Sequence, residues 1–193
     1  MIIVGRPAVV LIGFMGAGKS TVGRVLAGLI GVDFIDTDTE IERREGRTIP
    51  EIFTAEGAAR FREIERDVVT DVLATHRGVV ALGGGAVTTP AVAEALDGHR
   101  VVHLRIGPEA GFARVAGTDR PMLATDDPAA RYRELLAERA ETYRDVATIE
   151  VDAGAGDAET VADLILAEIA QNNTVSGDGT RRPADSRVNE RTA

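Results

Sequence analysis

The stretch GFMGAGKSTVG, residues 13–23, decides the fold of this chain. Gly13, Gly18, Lys19 and Ser20 satisfy the pattern G-x-x-x-x-G-K-[ST]. In it, glycines let the backbone wrap around phosphate with N–H groups pointing inward, and the following helix adds the positive end of its dipole. Lys19 then reaches the β and γ phosphates of a nucleotide, and Ser20 offers a hydroxyl to magnesium. Gly16, Ala17 and Thr21 complete the cradle. Of the 22 basic residues Lys19 is the only lysine, the rest being arginine. A slim ammonium threads into such a loop where a broad planar guanidinium does not fit. A plain glycine-rich turn with a solvated lysine is the alternative, and it leaves the strand before and the helix after without a purpose.

Working outward, PAVVLIG (7–13) is an unbroken apolar run that suits a strand buried on both faces. Residues 19–31 place apolar side chains at 22, 25, 26, 29 and 30 and close on Gly31, a helix with a glycine stop. VDFID (32–36) reads as a second strand, and Thr48-Ile-Pro-Glu51 starts a short helix with a capping box. Residues 56–75 form a longer amphipathic helix, and VVALGGG (79–85) is a strand ending in three glycines. PAVAEAL, RVVHLRI (100–106), PEAGFARV, a helix over 127–144, ATIEVD (147–152) and AETVADLILAEIA (158–170) continue the alternation. This predicts an α/β fold of the P-loop NTPase type, with three layers and about five parallel strands between helices on both faces. Ligands of such sheets bind beyond the carboxyl ends of the strands.

Composition narrows the function. With 44% hydrophobic and 27% charged residues, the 193-residue chain suits one soluble domain over 1–171. It has no cysteine, which rules out disulfides and thiolate chemistry and fits the cytoplasm. No apolar run reaches the roughly 18 residues of a membrane span. The apolar N-terminus lacks a basic leader and a cleavage site, so it reads as the first strand. A net charge of −9 argues against nucleic-acid binding. Residues 172–193 hold two valines as their only large apolar side chains and are expected to be a disordered tail.

Two further clusters bear on chemistry. Asp36 and Asp38, in DTD (36–38), would share one side of an extended backbone, one to hold magnesium and one to face a substrate hydroxyl. Two aspartates capping the helix TEIERREG explain the spacing equally well. In ARFREIERD (59–67), Arg62 and Glu65 are three residues apart on a helix, so the acid can orient the guanidinium towards a carboxylate. A solvated charged face is the plainer reading of that helix. His76, His99 and His103 are scattered without ligand spacing and are read as structural, with His103 buried beside a hydrogen-bond partner.

Together, GFMGAGKST (13–21), DTD (36–38), FRxIE (61–65), GGGAV (83–87), RPML (120–123) and ERAETY (138–143) resemble the shikimate kinase family, in order and spacing over about residues 8–170. The resemblance implies a nucleoside-monophosphate-kinase-like fold with a mobile lid at about 115–127, using ATP and Mg2+ to phosphorylate the 3-hydroxyl of shikimate. It implies that Asp38 contacts the substrate hydroxyls and acts as base, and that Arg62 and Arg139 clamp the carboxylate. Gly83, Gly84 and Gly85 would close on the ring, Ser20 and Asp36 would hold the metal, Arg120 in the lid would close on the phosphates, and Arg114 would lie against the adenine. A monomer is the expected state.

The sequence departs from the family pattern in two places. Glu141 stands where the family carries proline in R-x-P-x-Y, an added acid near Arg139, and the small-residue run AGAG (153–156) lacks the arginine common after the last strand. A kinase of another hydroxy acid such as gluconate, or a non-catalytic nucleotide-binding relative, is the alternative that the sequence leaves open. A guanine-reading N/T-K-x-D element is excluded, since the only lysine is in the phosphate loop.

Overall fold

The computed structural model describes residues 6–118 and 121–177. Five parallel strands form one sheet: β1 (Val9–Ile12), β2 (Phe34–Asp36), β3 (Val79–Ala81), β4 (Val101–Arg105) and β5 (Ile149–Asp152), in the order β2-β3-β1-β4-β5. Register is set along the centre by Val10 opposite Val80 on one side and Val101 on the other. Seven helices are described: α1 (Lys19–Ile30), α2 (Thr37–Glu45), α3 (Ile49–Thr75), α4 (Pro90–Ala95), α5 (Pro108–Val115), α6 (Pro128–Val146) and α7 (Ala158–Gly177).

Period-two alternation along the strands builds two cores. Val10, Ile12, Val80 and Leu82 face α2, α3, α4 and α6, while Val9, Leu11, Val79 and Leu104 face α1 and α7. The expected three layers follow, because every central strand is apolar on both faces. The helices after β1 and β3 therefore leave on opposite faces, which opens a crevice between the carboxyl ends of these neighbouring strands.

Of three local outcomes, the first and third differ from the sequence reading and the second bears it out. Asp36 and Asp38 do not share an extended backbone: Asp36 ends β2 and caps α2, its carboxylate accepting from the Asp38 N–H at 3.0 Å, and Asp38 sits in the first helical turn. The capping reading is thus the correct backbone account, and it does not remove Asp36 from the site. The helix starting at Thr48 and the helix over 56–75 are joined as α3, yet Gly57 (φ 80°, ψ 174°) breaks the helical geometry between them. Helix α7 continues to Gly177 rather than ending near 170, and Asn173 Oδ1 accepts from Arg100 at 3.2 Å, tying the extension to the sheet. The rest of the expected tail, the first five residues and Arg120 lie outside the described residues.

Candidate active site

The loop after β1 owes its shape to glycine. Gly16 and Gly18 both take φ of 83°, a left-handed backbone that side chains oppose, and a Cβ at Gly16 would strike the Gly111 carbonyl at 2.5 Å. Gly18 is also the N-cap of α1, so the first helical N–H groups face the loop's interior. Lys19 Nζ donates to the Gly13 carbonyl at 2.8 Å and lies 3.4 Å from that of Phe14, arched over the loop. Ser20 Oγ donates to Asp36 Oδ2 at 2.5 Å, which brings the two metal candidates together. A hydroxyl beside a carboxylate at the mouth of a phosphate loop suits Mg2+, a hard cation that takes one or two protein oxygens and completes its shell with phosphate and water. Among the described residues, no group of three or more His, Cys, Asp or Glu could hold a metal.

A cavity of about 360 Å³ runs from Gly16, Lys19 and Thr21 past Asp36 to Asp38 and Gly84. It joins the phosphate loop to the loop after β3, where three consecutive glycines each approach a different predicted side chain. A Cβ on Gly83 would collide with Asp38 Oδ1 and come within 3.1 Å of Glu65 Oε1. One on Gly85 would lie 2.5 Å from the Arg62 guanidinium, and the Gly84 carbonyl accepts from Arg139 Nη1 at 3.1 Å. Space rather than unusual φ calls for glycine at Gly83 and Gly85, since no left-handed φ is found there. Asp38, Arg62 and Arg139, from three different helices, thus converge on one loop.

The two arginines are held differently. Arg62 is paired with Glu65 and stays about one-third open, while the Glu65 side chain is 2% exposed. Burial raises the Glu65 carboxyl above its ordinary range against the opposing pull of Arg62. Arg139 is buried, lies over the Phe14 ring with its guanidinium carbon 5.3 Å from the centroid, and has Nη2 3.5 Å from Met122 Sδ. Met122 belongs to the expected lid, so that segment reaches Arg139. Glu141 points outward on α6 and is exposed, away from the face that carries Arg139.

Arg114 bridges the phosphate loop and the loop after β5, donating to Gly16 O and Ala153 O at 3.2 Å each. A second cavity, about 220 Å³, opens beside it between Thr21, Val22, Gly156 and Val161. A guanidinium from α5 therefore stands at the AGAG run, which has none of its own. His103 is buried with Nδ1 2.9 Å from Glu150 Oε1, as the sequence suggested, and burial lowers its pKa. A further cavity of about 420 Å³, between β4, β5 and α6, is lined by His103 and Tyr143 and contains none of the nucleotide-, metal- or substrate-binding candidates.

Sequence reasoning gave no role to Tyr132, nor to Thr37 and Tyr143, although these two fall within DTD and ERAETY. Thr37 is fully buried and its Oγ1 accepts from the Gly83 N–H at 3.0 Å, fixing the start of the glycine loop on α2. Tyr132 donates to Met15 O at 2.7 Å, and Tyr143 donates to Gly84 O. Each partner lies at least 46 positions away, so spacing along the chain does not reveal these contacts.

One cavity joins the phosphate loop to the loop where two arginines and one aspartate meet, the layout of a P-loop enzyme that holds a nucleotide beside a second small molecule. The chain is an ATP-dependent P-loop kinase. The family described as shikimate kinase matches residues 15–170. Shikimate kinase of Mycobacterium avium is 56% identical over 147 residues, 76% of this chain and 84% of that one. The enzyme of Mycobacterium bovis is 50% identical over 164 residues, 84% and 93%. A shikimate kinase from Acinetobacter baumannii, solved in complex with shikimate, superposes with a TM-score of 0.83 at 40% identity, covering 86% of this chain and 94% of its own. A gluconokinase from Sinorhizobium meliloti, 20% identical with a TM-score of 0.58, covers 90% and 98% and shares the fold. The chain belongs to the shikimate kinase family.

Proposed function

We propose that this kinase transfers the γ-phosphate of ATP to the 3-hydroxyl of shikimate, giving shikimate 3-phosphate and ADP in the route to chorismate and the aromatic amino acids, with the following division of labour. The Gly13–Thr21 loop and Lys19 hold the triphosphate, and Arg114 borders the adenine. Arg62 and Arg139 take the substrate carboxylate as two guanidinium forks. Asp38 accepts the hydroxyl proton as that oxygen bonds to phosphorus and the bond to ADP breaks. Ser20 and Asp36 would hold Mg2+, which when bound neutralises charge on the β and γ phosphates. Arg120, in the lid over 115–127, would close on the same phosphates and exclude water.

The observation that carries the reading is the convergence of Asp38, Arg62 and Arg139 on Gly83–Gly85, at the far end of the cavity that starts at Lys19. Phosphoryl transfer depends on alignment and charge more than on covalent chemistry, so this arrangement is sufficient in kind. A cytoplasmic monomer is supported by the cysteine-free composition and by a site drawn from one chain. No helix among the described residues is long and apolar enough to cross a membrane.

Coupled ADP release with Mg2+ and either shikimate or gluconate tests the assignment. Shikimate is expected to be preferred by several orders of magnitude in kcat/KM, because a site built to hydrogen-bond one substrate leaves buried groups unpaired with another. Equal rates with both acids would overturn it.

A further inference from the structure

The chain contains two tyrosines, and both are on α6. They are eleven residues apart, about three helical turns, so they share the face that looks onto the site. Each is fully buried and each spends its hydroxyl on a backbone carbonyl of a different site loop. Tyr132 holds Met15 O of the phosphate loop, and Tyr143 holds Gly84 O of the glycine loop. Burial pushes both hydroxyls up to about 12, so both remain donors across the working range of pH.

The two rings are themselves fixed. Tyr132 meets Phe14 edge-on at 4.9 Å, and Tyr143 stacks on His103 at 4.9 Å and 22°, with His103 anchored by Glu150. The Gly84 carbonyl is shared, accepting both from Tyr143 and from Arg139 Nη1. A trans peptide points its C=O and the next N–H in opposite directions, so holding Gly84 O towards α6 turns the Gly85 N–H away from it. The same carbonyl takes one nitrogen of the Arg139 guanidinium, which restrains where that side chain lies.

Resting on the reading of Gly83–Gly85 and Arg139 as the shikimate site, we propose that Tyr143 is a positioning residue for shikimate and Tyr132 its counterpart for ATP. Helix α6 thereby aligns acceptor and donor through two hydroxyls on one rigid element. Tyr143 touches neither substrate; it acts through the Gly84 carbonyl on the loop and the arginine at once.

The test is steady-state kinetics of Tyr143→Phe, Tyr132→Phe and Arg139→Met, with shikimate and ATP titrated separately. Each phenylalanine variant removes one oxygen and keeps the ring. Tyr143→Phe is expected to raise the shikimate KM about five- to tenfold, the value of one hydrogen bond, with the ATP KM little changed; Tyr132→Phe should show the reverse. With no tryptophan in the chain, Tyr132→Phe also leaves Tyr143 as the sole strong emitter. Its fluorescence should respond to shikimate, a reading that does not need Tyr143→Phe to fold. The inference is overturned if Arg139→Met raises the shikimate KM while Tyr143→Phe does not. It also falls if Tyr143→Phe moves both KM values alike. If Arg139→Met leaves the shikimate KM unchanged, the site assignment itself fails and the inference goes with it.

Discussion

Ser20 and Asp36 are sixteen residues apart in sequence and share a hydrogen bond of 2.5 Å, which ties the first residues of α1 to the end of β2. Asp36 meanwhile caps α2 through its other oxygen. The cap and the metal role can be separated, because asparagine caps a helix as well as aspartate but carries no charge. Asp36→Asn is expected to leave stability within about 0.5 kcal/mol of the parent. The Mg2+ concentration giving half-maximal rate should rise about 10- to 100-fold. Thermal melts and a Mg2+ titration of the rate check the two halves.

Asp38→Asn should abolish most transfer, about 10²- to 10⁴-fold in kcat, the usual worth of a positioned base. Nucleotide affinity should survive, since Asp38 stands at the glycine-loop end of the cavity rather than within the phosphate loop. Parallel kcat and ATP-binding measurements decide it, and an unchanged rate removes Asp38 from the chemistry.

Two glycine substitutions should behave oppositely. Gly83→Ala puts a methyl group where Asp38 Oδ1 and Glu65 Oε1 already lie, so kcat should fall sharply through displacement of Asp38. Gly28→Ala, exposed in the interior of α1 with nothing within 4 Å of the new carbon, should stabilise by up to about 1 kcal/mol without touching activity. Denaturation midpoints and rates on the two variants form the comparison.

Arg62→Lys should raise the shikimate KM about 10- to 100-fold while sparing that for ATP, because an ammonium cannot present the paired donors of a guanidinium. The Glu65 partner remains in place, so the loss reports on fork geometry rather than charge.

Glu40 on α2 pairs with Arg43 and Arg44 at 2.7 and 2.6 Å. The hydrogen bond from Arg43, with that from Arg44, lowers its carboxyl from 4.5 to about 2 against the opposing effect of burial. A depressed pKa means that the folded state favours the ionised form. The stabilisation is complete above pH 4.5 and is lost as pH falls towards 2. Glu40→Gln should therefore be less stable than the parent at pH 7, with the difference shrinking through that window in a series of denaturant melts.

Legibility followed the distance between partners. The phosphate loop was readable because its residues are contiguous, and the Arg62–Glu65 pair because a helix brings i and i+3 together. The DTD stretch was ambiguous because α2 is almost wholly polar, with Thr37 and Ile41 as its buried non-acidic residues, so helical periodicity is faint. Its helix is secured instead by the Asp36 cap, the Glu40 ion pairs and packing in the core shared with α3. The departure at Glu141 looked relevant to Arg139 from two-residue spacing, but a helix sends those positions to different faces.

By itself the chain of residues determined the layered parallel sheet, the phosphate loop and the site of Lys19, because these depend on hydrophobic period and on neighbours in sequence. Only the tertiary structure decided that Asp38, Arg62 and Arg139 meet at Gly83–Gly85, and that Thr37, Tyr132 and Tyr143 hold the loops. Those contacts join separate helices to loops many residues away, and their geometry exists only once both cores have closed around the sheet.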